Sequence, residues 1–374
     1  MSTQRRIYLD YNATAPLSES ARTAMTQAWA EVGNPSSVHA EGRGARDRVE
    51  RARAQVAELV GRPREQVVFT SGGTEANALG VLGLAAEAER LGKGRTVCVA
   101  PIDHPSLIGA AHALGSRGWT VHMLEVNPDG VVEPADLSDF GLLLVSFANH
   151  ELGTMPDLPN LIRWAHARGA LVHVDAVQAA GKVALALAGA HSIAISAHKL
   201  GGPQGVGALA IAYDTGLPII AAGHQERGRR PGTENTLGIV GFGAAAASVE
   251  LADWPRVAEL AARLEAGVLA IEGVRIHGAG ARRVGGTVNA GFADALGESI
   301  VVGLDLEGIA VATGAACTSG SVQPSPVLLG IGMSEKAARE AVRFSLGQAT
   351  TQAEVDAVVR VLPLIVKRAR LYRP

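Results

Sequence analysis

Cysteine is nearly missing from this 374-residue chain: there are two, Cys98 and Cys317. Two thiols cannot build a disulfide framework or a four-thiolate metal site. Excess charge of one sign is also missing. The 34 Lys and Arg nearly balance the 36 Asp and Glu, for a formal net charge of −2, so no global basic field draws the chain to nucleic acid. The basic cluster at 43–53 has the spacing of a solvated helix face. No apolar run approaches the ~18 residues that span a bilayer. The opening Met1-Ser-Thr-Gln-Arg-Arg-Ile-Tyr-Leu-Asp10 lacks the apolar stretch of a secretory signal. The expectation is a soluble cytoplasmic protein without a membrane or nucleic-acid partner. Its 11 histidines are scattered and form no His-x-x-x-His pair beside an acid, so no metal is expected. Fixed-period repeats and low-complexity linkers are absent too.

What is present is a large apolar fraction, 47%, with 19% charged residues, which excludes wholesale disorder. At about 150 residues per domain the length suits two domains packed together. Short β-type runs fall at 67–70, 96–99, 120–126, 142–147, 171–174, 192–196 and 206–212. Several are apolar almost throughout, as strands covered on both faces must be. Helical stretches lie between them, at 106–118 and at 158–168 before Gly169. That alternation predicts an α/β fold with a largely parallel sheet and helices on both faces. Beyond about residue 250 the pattern changes. Helix signals cover 237–271 with Pro255 as a break, and mixed strands and helices follow at 274–277, 286–292, 298–306, 309–311 and 341–346. A long amphipathic helix at 352–371 closes the chain. This part reads as a smaller α+β domain.

Chemistry-bearing residues gather at the carboxyl ends of the β-type runs, where open α/β sheets bind ligands. Phe69-Thr-Ser-Gly-Gly-Thr-Glu75 is a strand, a glycine turn and a helix start, suited to a phosphate. Asp175 is an acid at the tip of an apolar strand, costly to bury without a partner. His173 beside it reads as a satisfied core histidine. Lys199 follows another apolar run, where desolvation lowers an amine's pKa enough for imine chemistry. A phosphate cradle, an acid for a pyridinium nitrogen and a Schiff-base lysine are together what pyridoxal phosphate requires. Cys98, mid-strand, reads as structural. The glycine-rich stretches 201–207 and 278–286 lack the spacing and partner acid of a dinucleotide fingerprint.

The chain resembles the cysteine desulfurases of the class V aminotransferase group, pyridoxal-phosphate enzymes that draw sulfur from L-cysteine. The resemblance runs from Tyr8-Leu-Asp-Tyr-Asn-Ala-Thr-Ala-Pro16 to Arg343-Phe-Ser-Leu-Gly347. Between them lie Asn34-Pro-Ser-Ser-Val-His39, His173-Val-Asp-Ala-Val-Gln178, Ser196-Ala-His-Lys199, Gln225-Glu-Arg-Gly-Arg-Arg-Pro-Gly-Thr-Glu-Asn235 and Gly314-Ala-Ala-Cys-Thr-Ser-Gly320. It implies the fold type I of pyridoxal-phosphate transferases. A large domain, 13–250, would hold a mostly parallel seven-stranded sheet sandwiched by helices. A small α+β domain, 251–374 with 1–12, would carry the cysteine loop.

By the same resemblance Lys199 would hold the cofactor and move the α-proton, and Asp175 would pair with the ring nitrogen. Gln178 would contact the ring hydroxyl, while Gly73, Thr74, Ser196 and His198 would hold the phosphate. His104 would stack on the ring and act as acid or base. Thr233 would reach a phosphate in a neighbouring subunit, implying a homodimer. Asn34 and Arg343 would bind the substrate carboxylate, Arg343 by a two-point fork. The thiolate of Cys317 would attack the substrate sulfur, leaving L-alanine and a Cys317 persulfide. That persulfide would serve an acceptor protein in iron–sulfur cluster, thio-cofactor or thionucleoside synthesis. Selenocysteine or cystine lysis on the same fold is the alternative reading. The sequence departs from the family's pattern at His150, where Asn is usual, and imidazole there changes the contact with the ring hydroxyl. Ala221-Ala222 and Asn12 are smaller differences.

Overall fold

The computed structural model describes residues 6–185, 187–212, 223–314, 317–318 and 321–371, with only the backbone described at 317–318 and 321–322. Ala221, Ala222, residues 315–316 and 319–320 and the Cys317 side chain lie outside the described residues.

The apolar runs become the seven strands of one sheet. Their order is Val67–Thr70, Gly207–Ile211, Ser192–Ser196, Leu171–Asp175, Leu142–Ser146, Thr96–Val99 and Thr120–Met123. Alternate side chains leave the sheet on opposite faces. Leu143 and Val145 enter one core with Phe140 and Trp164, whereas Leu142 and Leu144 enter the other with Leu84 and Leu107. Both faces of the inner strands are covered, so both residue sets there must be mostly apolar, whereas the half-exposed edge strand Thr120–Met123 alternates.

Strand Leu142–Ser146 pairs in parallel with Leu171–Asp175, and Ser146 stands opposite Asp175. Leu171–Asp175 pairs in parallel with Ser192–Ser196. The carboxyl ends of these strands therefore share one edge. Gly207–Ile211 alone runs antiparallel to its neighbours in the sheet. Only the 3₁₀ turn Ala197–Lys199 and a short glycine-rich link join it to Ser192–Ser196, too little chain for the crossover that a parallel return needs. Gly201 and Gly205, at φ of 84° and 75°, take left-handed conformations in that reversal. Val67–Thr70 then runs with the majority, and the helix Gly73–Arg90 starts at the same edge.

Several of the strand expectations shorten at their carboxyl ends, most at Thr120–Met123, against the expected 120–126. The helix expected over 106–118 forms over Pro105–Gly115, with Pro105 in its first turn. Pro255 occupies the first turn of Trp254–Leu269, separating it from Thr236–Ala247. A second core surrounds the antiparallel sheet Ala341–Ser345, Thr287–Phe292 and Val274–Ile276. Helices Trp254–Leu269, Gly297–Leu306 and Gln352–Leu371 pack there, around Phe292, Phe344 and Leu362. Leu9 belongs to this core, and Ile7–Tyr8 pairs in parallel with Ile309–Ala310. Cys317–Thr318 forms a small hairpin with Ser321–Val322.

One expectation is corrected. Helix Ala40–Val60 does not expose the whole of its basic cluster, because Arg53 is 3% exposed. Its guanidinium forks onto Glu226, with Nη1 to Oε2 at 2.6 Å and Nη2 to Oε1 at 2.7 Å. Glu226 Oε2 also accepts the Phe69 N–H at 2.8 Å. Glu226 and its neighbour Arg227 take left-handed φ values of 49° and 59°, so this pair fixes a strained turn. Removing one member strands a buried charge. Glu226→Ala is expected to lower stability by about 3–5 kcal/mol, and the paired change Arg53→Met with Glu226→Leu by less. Urea unfolding of both variants against the parent checks the difference.

Candidate active site

A cavity of about 290 Å³ opens at the shared strand edge. Lys199 reaches it from the end of the 3₁₀ turn Ala197–Lys199. Its ammonium donates to the backbone carbonyls of Asn12 and Ala13, at 2.6 and 2.8 Å. Burial, helped by the charge of Arg343 and opposed by Asp10 and Asp175, lowers its pKa to about 8.

Asp175 ends the strand Leu171–Asp175 and is buried in the cavity wall. Its Oδ1 accepts the Val177 N–H at 2.9 Å, and its Oδ2 accepts Asn77 Nδ2 at 2.8 Å. Asn77 lies on the helix Gly73–Arg90 and turns its Oδ1 to His173 Nε2, at 2.9 Å. His173 Nδ1 lies 2.7 Å from Ser192 Oγ. Complete burial pulls the His173 pKa down to about 3, so the ring is neutral. Because Asn77 Oδ1 can only accept, His173 carries its proton on Nε2 and accepts from Ser192 at Nδ1. The histidine is thus a satisfied core residue that orients Asn77 toward the acid.

Gly73, Thr74, Ser196 and His198 line another part of the cavity. Gly72 gives the helix Gly73–Arg90 no side-chain cap, which leaves its first N–H groups for an anion. A Cβ on Gly73 would lie 2.7 Å from Val177 Cγ2, so only glycine fits there. Ser196 Oγ is buried without a protein partner. Burial draws the His198 pKa down to about 4, and its Nδ1 lies 3.2 Å from Thr14 Oγ1.

His104 precedes the helix Pro105–Gly115, and its Nδ1 accepts the Ser106 N–H at 3.2 Å. Its ring meets that of His150 edge to face, with centroids 5.2 Å apart. Burial lowers both pKa values, that of His150 strongly, with the charges of His104, Arg343 and Lys199 adding to it. Gln178 also lines the cavity, but both ends of its amide are engaged. Nε2 donates to the Asn12 carbonyl at 2.9 Å, and Oε1 accepts Lys182 Nζ at 2.8 Å. Arg343, on the strand Ala341–Ser345, bonds Asp10 Oδ1 through Nη2 at 2.8 Å and the His150 carbonyl through Nη1 at 3.0 Å. Its Nε is buried without a protein partner.

Two expected residues are not brought to this cavity. Asn34 is exposed and accepts the Ser36 N–H at 2.9 Å, and Thr233 is exposed as well. Cys98 is fully buried, and burial pushes its thiol up to about 12.

A family model for aminotransferase class-V matches residues 7–358. The chain belongs to this family. A cysteine desulfurase of Cereibacter sphaeroides is 41% identical over 99% of the chain and 98% of its own length. Cysteine desulfurase 2 of Trichormus variabilis is 38% identical over 98% of the chain and 95% of its own length. A solved NifS-like protein superposes with a TM-score of 0.89 at 30% identity, covering 97% of the chain and all of its own.

Class-V aminotransferases use pyridoxal phosphate. The residues present fit that group. The unpartnered Ser196 hydroxyl and the uncapped helix start suit its phosphate, and the buried Asp175 carboxylate suits a protonated ring nitrogen. The desolvated Lys199 amine suits its aldehyde.

Sequence reasoning missed Asn77, Lys182 and the importance of Asn12. Lys182 is buried and donates to Asn12 Oδ1 at 3.0 Å as well as to Gln178. Asn12 Nδ2 in turn donates to Thr287 Oγ1 at 3.0 Å and to the His150 carbonyl at 3.2 Å. The available signal for Asn77 was an amide one helical turn past the Gly73-Thr74 start. Lys182 offered only the weaker signal of a charge in an Ala/Gly-rich stretch.

The lowered pKa makes a measurable statement about the protein without cofactor. Lys199 is protonated below pH 8 and neutral above it, so competitive acetylation followed by peptide mass analysis should show its reactivity half-risen near pH 8. An exposed lysine would reach that point near pH 10.4. A half-point above pH 10 for Lys199 contradicts its enclosure.

Proposed function

We propose that the chain is a cysteine desulfurase, a pyridoxal-phosphate-dependent sulfurtransferase that converts L-cysteine to L-alanine and loads the sulfur on Cys317. The observation that carries this reading is the division of the two thiols. Cys98 is sealed in the sheet. Cys317 lies on a hairpin whose root, Gly314, is packed against Glu151, the neighbour of His150 in the cavity wall. A transaminase needs no cysteine on a segment that starts from the cavity wall. The full-length likeness to curated cysteine desulfurases supports the same reading.

Pyridoxal phosphate, when bound, supplies an aldehyde and a protonated ring that withdraws electrons from the substrate carbons. The rest of the chemistry falls to the chain. Lys199 Nζ, part-neutral at physiological pH, supplies the amine and then takes the proton from substrate Cα. Asp175, fixed by Asn77 and Val177, keeps a carboxylate where the ring nitrogen needs one. Arg343, whose Nε has no protein partner while Nη1 and Nη2 hold the His150 carbonyl and Asp10, would turn its guanidinium to the substrate carboxylate. His104, with Nδ1 tied to Ser106, presents Nε2 as the group that exchanges protons. The Cys317 thiolate would attack the substrate sulfur; the S–S bond forms as the substrate Cβ–S bond breaks, the electron pair stays with the carbon skeleton that is protonated to alanine, and the persulfide goes to an acceptor protein.

The active unit in this reading is a homodimer. Thr233 is exposed and outside its own chain's cavity, as a residue serving a neighbouring subunit would be. Trp29, Val32 and Val38 leave apolar surface at 77, 82 and 84% exposure, which suits burial against a second copy.

Incubation with L-cysteine is expected to add one sulfur to Cys317 by mass and to yield alanine. In Cys317→Ala the cofactor's visible absorbance should persist while sulfide release falls to background. Undiminished cysteine turnover in that variant removes the persulfide step.

A further inference from the structure

We propose that Glu151 is a positioning residue that fastens both roots of the Cys317 hairpin, Gly314 on one side and Ser325 on the other, to the turn carrying His150. The proposal rests on the desulfurase reading and adds what holds the sulfur-bearing segment in register with the cavity.

Glu151 is 1% exposed. Its Oε2 accepts a 2.6 Å hydrogen bond from Ser325 Oγ. The same oxygen covers Gly314 so closely that a Cβ there would stand 2.4 Å away, and Gly314 has φ of +81°. One carboxylate oxygen thus abuts a residue three positions ahead of Cys317 and bonds a residue three positions beyond Val322. Ser325 Oγ also accepts the Leu328 N–H at 3.2 Å, starting the turn Pro326–Gly330.

The other side of Glu151 is as firmly tied. Its N–H donates to Asn149 Oδ1 at 2.9 Å, and Asn149 Nδ2 donates to the Ile102 carbonyl at 2.8 Å. The preceding carbonyl, of His150, accepts from Arg343 and Asn12. His150 Nε2 stands 3.8 Å from Glu151 Oε1. The hairpin roots and the cavity wall therefore hang on one turn. Fixing both ends of a segment lowers the entropy lost when its centre must reach one point, here the substrate sulfur. Burial raises the Glu151 pKa against the pull of Ser325 and Arg343, so a glutamine, which keeps the accepting oxygen, is a fair replacement.

The test uses holoenzyme and two rates, iodoacetamide alkylation of Cys317 read by mass and first-turnover formation of its persulfide. In Glu151→Ala and Ser325→Ala, alkylation is expected to rise about fivefold and persulfide formation to fall about fivefold, the effect of one lost hydrogen bond. The KM for L-cysteine and the cofactor absorbance should stay unchanged. Glu151→Gln should restore both rates, and the double variant Glu151→Ala with Ser325→Ala should add nothing to either single change. Wild-type rates in both alanine variants overturn the proposal, as does an effect in Ser325→Ala alone, which would reflect only the lost helix cap. If Glu151→Ala does not fold, Ser325→Gly carries the test, since glycine is tolerated at a helix start but offers Glu151 no donor. If the wild-type protein forms no persulfide, the desulfurase reading fails, and the alkylation rates still judge the fastening.

Discussion

Two ammonium groups removed from water must find oxygen acceptors, and in this protein both find Asn12. Lys199 donates to its backbone carbonyl and Lys182 to its side-chain oxygen. An unpaired buried cation would cost several kcal/mol, so the position of Asn12 is not free to drift. It is held by Thr287, by the His150 carbonyl and by Ser345 Oγ, which accepts the Asn12 N–H at 3.0 Å. Neutral carbonyl and amide oxygens satisfy the hydrogen bonds without supplying a full negative charge. Both amines consequently titrate low, Lys182 at about 7 and Lys199 at about 8. A carboxylate in place of Asn12 would pair better and would cancel the shift that makes Lys199 a nucleophile.

The opposite logic governs Asp175. Its oxygens receive two hydrogen bonds from neutral donors, and behind them runs a relay of neutral groups, Asn77, His173 and Ser192. Each member has its donors and acceptors assigned by the next, so the carboxylate is oriented without a counter-cation being consumed. The parallel register sets Asp175 beside Ser146 and brings Ser196 to the same edge on the next strand. Sheet topology and site chemistry are here one arrangement.

Much of this was legible in the sequence because strands covered on both faces must be apolar, and a polar residue at such a strand's end stands out. Asp175 and Lys199 were visible for that reason, Gly73 and Thr74 because a glycine turn precedes a helix, and Ser196 through the family resemblance. Arg53 was misread because helical periodicity treats an arginine as solvent-facing, while its partner Glu226 lies 173 residues away. Asn12 registered only as a departure from pattern, since its partners Lys182, Thr287 and Ser345 are scattered through the chain. The antiparallel course of Gly207–Ile211 was hidden because an apolar strand carries no mark of direction; only the shortness of the preceding link encodes it.

The amino-terminal stretch has a consequence for how the molecule comes into being. Asn12 meets Ser345 across 333 residues of chain, and Ile7–Tyr8 pairs with Ile309–Ala310. A ribosome releases Asn12, which both lysines share as an acceptor, long before the strand that pins it. The sheet around Asp175 can assemble during synthesis, yet the lysine environment is completed only after the final strand has emerged. A nascent chain therefore carries an unfinished pocket until the strand Ala341–Ser345 has left the ribosome.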